Sequence, residues 1–177
     1  MNAREFLELP KMIDRRIENK KTEMEMWITI AESTTAHSEG DRVQSSGSQQ
    51  KMADAINIFI DLEREVAEEM IQLAEIKRDV IQVIQQLKVN EYDVLHKMYI
   101  GVMVKIKTPG GIKNVIEYQT LDQVADMYGK SRSWAKDNHR SGLVKVQKYL
   151  DNHPELSTKA EKSLKVPKIV QQNQNDL

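Results

Sequence analysis

The stretch TLDQVADMYGKSRSWAKDNHRSGLVKVQKYL, residues 120–150, decides the fold of the C-terminal half of this chain. Thr120 is a favourable N-cap, because its side chain can accept a hydrogen bond from a free amide of the first helical turn. The residues that follow recur at helical spacing and make one face apolar: Leu121, Val124, Ala125 and Tyr128. Gly129 ends this helix, since glycine adopts the left-handed cap conformation at low cost, and Ser131 is the next N-cap. The stretch therefore predicts a helix-turn-helix, whose second helix enters the major groove of DNA.

The second helix of this stretch is basic on its predicted exposed side. Between Lys130 and Lys148 the only acidic residue is Asp137. One arc of the helix contains the following residues: Arg132, Ser133, Lys136, Asp137 and Arg140. A basic arc beside a glycine turn is suited to phosphate binding and base reading. The alternative is that these cations form the solvated face of an ordinary helical hairpin.

We expect a defined set of residues to contact DNA. Arg132 and Lys136, near the start of the second helix, are candidates for base edges, since arginine readily makes bidentate contacts to guanine. Phosphate contacts are expected from three others: Arg140, Lys145 and Thr120. Ser131 and Ser133 complete the predicted interface.

Residues 121–136 resemble the promoter-reading region 4 of sigma-70 family factors. The resemblance lies in Leu121-Asp122-Gln123-Val124-Ala125, in Gly129, and in the run from Ser131 to Lys136. Two positions depart from that pattern: Lys130 stands where the family usually has an apolar turn residue, and Asn138 where it usually has leucine.

The chain is also similar to phage late-gene transcription regulators of the ArpU and RinA type, over about residues 1–150. The similar segments are MNAREFLELP (1–10), RVQSSGSQQKMADA (42–55), DLEREV (61–66) and the terminal helix-turn-helix. The resemblance implies a phage or prophage late-operon activator that acts with host RNA polymerase. The alternative is a DNA-packaging protein of the small terminase type, or another phage assembly protein.

Residues 1–87 predict an antiparallel, coiled-coil-like helical hairpin. Apolar residues keep an alternating spacing of three and four along residues 52–87, broken only at Glu69, and a matching series along residues 13–31 is broken at Lys20. In an antiparallel pair these two residues fall in adjacent layers, and we predict that they pair. A partial second stripe indicates more than one neighbour for the second helix: Ile56, Met70 and Ile84. The hairpin is interpreted as a scaffold or homodimerisation rod, or as a contact surface for RNA polymerase.

Residues 88–150 form the predicted helix-turn-helix domain, with a β-hairpin insertion at about 102–118. The turn of this insertion is Thr108-Pro109-Gly110-Gly111. Its lysines are candidates for a wing that reaches the DNA backbone: Lys105, Lys107 and Lys113. The alternative is a solvated hairpin that only covers the core. Residues 151–177 are polar and predict a flexible tail.

Composition narrows the function further. The chain has no cysteine, and its four histidines are scattered without a catalytic or zinc-binding spacing, so we expect no enzyme, cofactor or metal site. His139 is expected to touch solvent or phosphate. No apolar run approaches membrane-spanning length, which favours an intracellular protein, and the resemblance to phage regulators implies the cytoplasm of a bacterial host.

The net charge of −1 hides a division between the two halves of the chain. Residues 1–87 contain 11 basic and 17 acidic residues, whereas residues 88–168 contain 15 basic and 9 acidic residues. The basic half is expected to face double-stranded DNA. Together these patterns predict a mainly α protein: an N-terminal antiparallel coiled-coil-like helical hairpin, followed by a C-terminal helix-turn-helix domain with a small β-hairpin insertion.

Overall fold

The computed structural model describes residues 1–36 and 46–164. In chain order these form α1 (Ala3–Ala36), α2 (Ser46–Ile84), α3 (Val89–Leu95), a π-helical turn (His96–Ile100), β1 (Val102–Thr108), β2 (Gly111–Glu117), α4 (Leu121–Met127), α5 (Arg132–Asn152) and α6 (Pro154–Leu164). The prediction of a mainly helical chain with a small antiparallel sheet is confirmed. Residues 37–45, between the first two helices, and the part of the predicted tail beyond residue 164 lie outside the described residues.

The two long helices, α1 and α2, run antiparallel. The Asp14 carboxylate lies 3.3 Å from the Lys77 ammonium, whereas Lys20, six residues further along α1, lies 3.0 Å from Glu69. Partner numbers fall along α2 as they rise along α1, which defines the antiparallel direction. The predicted pairing of Lys20 with Glu69 is confirmed, and the Glu69 side chain is largely buried between the helices.

One hydrophobic core joins the two halves of the chain. It contains buried residues from the start of α1, the end of α2, α3, the π-helical turn, α5 and α6, among them Phe6, Leu7, Ile13, Val80, Val83, Leu95, Tyr99, Val146, Leu150 and Ala160. Residues on both sides of the predicted boundary at 87/88 thus pack together. The predicted boundary coincides with the change from an acidic to a basic half of the sequence. Charged residues lie mostly at the surface, so their distribution does not show which residues share a core.

A close contact sets the position of α5 on α3. A Cβ atom at Gly142 would lie 2.9 Å from Leu95 Cδ1 and 3.7 Å from Glu91 Cβ. Leu95 is fully buried and has little room to move, so glycine is the residue that permits this approach. The contact fixes the middle of α5 on α3.

The helix α6 corrects part of the predicted flexible tail, since residues 154–164 are helical and Ala160 lies in the core. Pro154 opens this helix, and proline is favoured at the first helical position because the amide that it lacks has no partner there. Lys159 of α6 also lies 2.6 Å from Asp79 of α2.

The two strands form a hairpin that is anchored at its base. The Tyr118 hydroxyl donates a hydrogen bond to the Asp14 carboxylate of α1, and the Lys11 ammonium lies 5.3 Å from the centre of the Tyr118 ring. The amide of Gln119 donates to the carbonyl of Lys97 at 3.1 Å. The hairpin therefore leaves the helical body from a fixed point.

Candidate nucleic-acid interface

The turn between α4 and α5 is defined by local hydrogen bonds. The Thr120 hydroxyl accepts from the amide of Gln123 at 3.3 Å, and the Gln123 side chain accepts from the amide of Thr120 at 2.7 Å. At the start of α5, the Ser131 hydroxyl accepts from the amide of Trp134 at 3.2 Å. Both predicted N-caps are confirmed, and the two helix starts are thereby fixed.

Gly129 ends α4 with φ +58°, the left-handed conformation that was predicted from its residue type. Its amide donates to the carbonyl of Asp126 at 3.1 Å, and the amide of Lys130 donates to the carbonyl of Ala125 at 2.9 Å. These two bonds are those of a Schellman motif, which satisfies the last free carbonyls of a helix. Only two residues, Gly129 and Lys130, separate the C-cap Tyr128 from the next N-cap.

Apolar and aromatic contacts hold the two helices together behind the turn. Val124 and Ala125 of α4 and Ala135 of α5 are buried. The rings of Tyr128 and Trp134 lie 5.6 Å apart at a tilt of 46°. Trp134 therefore packs across the turn, and aromatic pairs of this kind stabilise a contact beyond the burial of their area.

The opposite side of α5 is exposed and mostly basic. The Arg132 side chain is 73% exposed, and Ser133, Lys136 and Arg140 are also exposed. Residues four apart on a helix are neighbours, so the three cations follow one another along a single arc. Most of the predicted contact residues of α5 are thus brought together on one surface.

Val144 belongs to the same arc and was missed by sequence reasoning. It is 66% exposed and lies one turn beyond Arg140. An exposed β-branched residue among cations is a candidate for contact with a thymine methyl group. The sequence did offer a signal for this position, because Val144 lies four residues, or about one helical turn, after Arg140. Lys148, one turn further along, is exposed as well.

Arg132 has an acidic partner in the free chain. Its Nε atom lies 3.1 Å from Oδ1 of Asp122, in the first turn of α4. The two side chains are 73% and 58% exposed, so solvent screens the pair and its contribution to stability is small. Asp122 is also a carboxylate that an approaching phosphate would have to face.

The structure gives Lys145 a different partner from the phosphate that we predicted. Its ammonium group donates to both oxygens of the buried Glu91 carboxylate, at 2.6 and 2.7 Å. Lys145 lies nine residues after Lys136, about two and a half helical turns, which places it on the opposite side of α5. We therefore assign Lys145 to the packing of α5 on α3.

Glu91 is the acceptor of this cluster. Burial alone would raise the pKa of its carboxyl, but hydrogen bonds from Lys145, from the Ser141 hydroxyl and from the amide of Lys88 hold the pKa below its ordinary value. Glu91 is consequently ionised in the folded chain at neutral pH. The cluster locks the side of α5 that lies away from the basic arc.

His139 also differs from its prediction. Its Nε2 atom lies 2.9 Å from the Tyr99 hydroxyl, and the two rings stack at 5.8 Å. Burial, and then the nearby Arg4 guanidinium, lower the pKa of His139, and burial raises the pKa of Tyr99 to about 12. His139 therefore packs α5 against the π-helical turn as a neutral ring and does not point to solvent or phosphate.

Asn138, where the sigma-type pattern has leucine, is accommodated by a local bond. Its side-chain amide donates to the carbonyl of Trp134, four residues earlier, at 2.8 Å. A half-buried polar side chain is thus satisfied within its own helix. The departure from the pattern does not leave an unpaired polar group.

The three lysines of the β-hairpin are exposed but do not share a face. Lys105 lies opposite Asn114 and Lys107 opposite Ile112, whereas Lys113 lies opposite Ile106. Cross-strand partners point to the same side of a sheet and neighbouring pairs to opposite sides. Lys105 and Lys107 therefore lie on one face and Lys113 on the other.

No protein-family model, curated protein or solved structure matches this chain. Among the helices of the described ranges, none is both long enough and apolar enough to cross a membrane.

Proposed function

We propose that this protein is a sequence-specific DNA-binding transcription regulator that inserts the start of α5 into the major groove of duplex DNA. The observation that carries the proposal is the exposed arc of Arg132, Lys136 and Arg140 on a helix whose start is fixed by Ser131 and by the Schellman turn. A rigid cationic helix start can approach base edges without first being ordered, which lowers the entropic cost of binding.

Each residue of the arc has a proposed role. Arg132 and Lys136, in the first two turns of α5, read base edges, and Arg140 binds a phosphate. Ser131 and Ser133 add hydroxyl contacts at the helix start, and Thr120 does the same at the start of α4. Val144 is added to the interface as an apolar contact.

The arrangement supports a helix-turn-helix domain joined to a helical hairpin, because α4 and α5 are connected by a two-residue turn and α1 packs antiparallel to α2. The finer assignment, a phage or prophage late-operon activator that works with RNA polymerase in the bacterial cytoplasm, rests on the resemblance to sigma region 4 and to ArpU and RinA regulators. In this assignment the acidic surface of α1 and α2 faces protein rather than DNA.

Selection from a random duplex library tests the proposal. The full chain is immobilised, bound DNA is amplified and sequenced, and the triple variant Arg132→Ala, Lys136→Ala, Arg140→Ala is carried through in parallel. A matched control removes three exposed cations of α1 and α2: Lys21→Ala, Lys51→Ala and Arg78→Ala.

We expect a defined motif to be enriched by the unaltered chain and by the control, but not by the arc variant. If the arc variant enriches the same motif as strongly, DNA binds elsewhere. If no motif emerges and retention of DNA does not depend on salt, the chain is not a DNA-binding regulator.

A further inference from the structure

A second stripe, apolar except at Glu63, runs along α2 on a side that does not face α1. Its members alternate at spacings of three and four over about 33 Å of helix: Ala53, Ile56, Ile60, Glu63, Ala67, Met70 and Ala74. All of them are exposed, with Ile60 and Met70 each at 53%. Ile71, beside the stripe, is 64% exposed.

The spacing is that of a coiled-coil seam. The first seam of α2, one residue earlier at each position, packs on α1 through residues such as Ala55, Leu62 and Val66, which are buried. A helix with two adjacent seams can pack on two neighbours at once, and within residues 1–36 and 46–164 only the first seam of α2 is covered by a neighbour. Exposed isoleucines and a methionine at seam positions predict burial against another helix.

The charges at the middle of the stripe favour another copy of α2 as the second helix. Glu63 and Arg64 are adjacent at the middle of the stripe, and both are exposed. Arg64 also lies 3.0 Å from the Asp61 carboxylate of its own helix, in an exposed pair that solvent screens and that a partner's carboxylate can replace. Two copies that cross antiparallel at this point place Glu63 of each chain beside Arg64 of the other, whereas a parallel, in-register pair would place Glu63 against Glu63. The antiparallel arrangement also places Ile56 and Ile60 of one copy against the opposite end of the stripe in the second copy. That end contains Met70 and two alanines.

We propose that this protein forms a two-fold symmetric dimer through the Ala53–Ala74 stripe of α2, with the two α2 helices antiparallel. The interface is isologous, since the same stripe serves both subunits. Each hairpin then contributes two helices to a four-helix arrangement of the kind that buries two seams per inner helix. The dimer does not depend on DNA, so its failure and the failure of the proposed function are distinguishable.

The mass of the full chain in solution tests the dimer. Sedimentation equilibrium without DNA should give twice the 20.4 kDa of one chain at micromolar concentrations. Ile60→Glu should weaken the dimer on the order of a hundredfold, because the buried apolar contact occurs twice. Met26→Glu is the matched control, since Met26 is 60% exposed on α1 and lies outside the stripe. Far-UV circular dichroism checks that both variants keep their helical content.

Charge reversal tests the antiparallel direction. Glu63→Arg and Arg64→Glu should each weaken the dimer about tenfold, because each change replaces two ion pairs by two repulsions. The double variant Glu63→Arg, Arg64→Glu should restore dimerisation. A monomer for the unaltered chain would overturn the proposal and would leave the stripe to the residues outside the described ranges or to another protein. A dimer that is insensitive to Ile60→Glu, or a double variant weaker than either single one, would also overturn it.

Discussion

Lys145 of α5 and Glu91 of α3 form a bidentate ion pair, with the ammonium group 2.6 and 2.7 Å from the two carboxylate oxygens. Glu91 is only 4% exposed, and Ser141 donates to the same carboxylate. The pair holds one side of α5 against the core, and the opposite side carries Lys136 and Arg140. The buried cluster thus determines which side of α5 is available to a ligand.

Lys145→Met is expected to lower the free energy of unfolding by about 1–3 kcal/mol, because it leaves a buried carboxylate without its cation; the partial exposure of Lys145 keeps the loss below that of a fully buried pair. Urea denaturation at neutral pH measures the change, and Lys148→Met, on an exposed lysine of the same helix, should cost much less. Equal losses in the two variants would show that the Glu91 pair contributes nothing specific.

The ion pair between Lys145 and Glu91 also predicts that the stability of the fold depends on pH. Although burial opposes ionisation, hydrogen bonds hold the pKa of Glu91 below its ordinary value of 4.5, so the folded chain binds this proton less readily than the unfolded chain. The stabilisation is present above about pH 4.5 and is lost as the pH falls through the folded pKa. The advantage of the unaltered chain over Glu91→Gln should therefore shrink in acid. An advantage that grows in acid would contradict the ionised assignment.

Lys20→Leu alone is expected to destabilise the packing of α1 on α2 by about 1–3 kcal/mol, because Glu69 stays buried with a less complete set of donors. Arg16, whose Nε lies 3.4 Å from Glu69 Oε1, limits the loss. The double variant Lys20→Leu, Glu69→Leu should recover most of the stability, since an apolar pair removes the buried charge. Thermal and urea unfolding of the single and double variants measure the coupling, and additive losses would exclude it.

Asp122→Asn is expected to increase DNA affinity about twofold to tenfold at low salt. The change frees Arg132 from its ion pair and removes a negative charge from the surface that faces phosphate. Fluorescence anisotropy with a labelled duplex measures it, and Asp151→Asn, at the far end of α5, is the control. A decrease in affinity would indicate that Asp122 orients Arg132 for base contact more than it competes with DNA.

The β-hairpin provides a separate prediction for DNA affinity. If it acts as a wing, the double variant Lys105→Ala, Lys107→Ala should lower affinity and flatten its salt dependence by about 0.9 per lost phosphate contact, because both side chains lie on one face. Lys113→Ala, on the other face, should have no effect. A loss of DNA affinity with Lys113→Ala but not with the double variant would show that the other face of the hairpin contacts DNA. No loss of affinity in either variant would show that the hairpin is solvated and only covers the core.

Local signals in the sequence predicted the geometry around α4 and α5 well. Thr120, Gly129 and Ser131 act through hydrogen bonds to residues within a few positions of themselves, so their residue type and spacing suffice. The pairing of Lys20 with Glu69 was also predictable, although the two residues lie 49 positions apart, because a regular seam fixes which layers meet.

Other assignments depended on partners that no local pattern reveals. Lys145 was assigned to phosphate because its acceptor, Glu91, lies 54 positions away on a short helix without a seam. His139 was placed at the surface because its partner, Tyr99, belongs to a π-helical turn that periodicity does not report. In both cases tertiary packing decides the role of a polar side chain whose helical position alone leaves several roles open.

The salt dependence of DNA binding tests the central claim most directly, namely that the arc of α5 binds duplex DNA. Affinity for a selected duplex is measured over a range of salt concentrations for the unaltered chain, Arg140→Ala and Lys145→Met. We predict a steep fall of affinity with salt, a slope reduced by about 0.9 in Arg140→Ala, and an unchanged slope in folded Lys145→Met. Absence of binding, or a slope that changes in Lys145→Met but not in Arg140→Ala, would contradict the account.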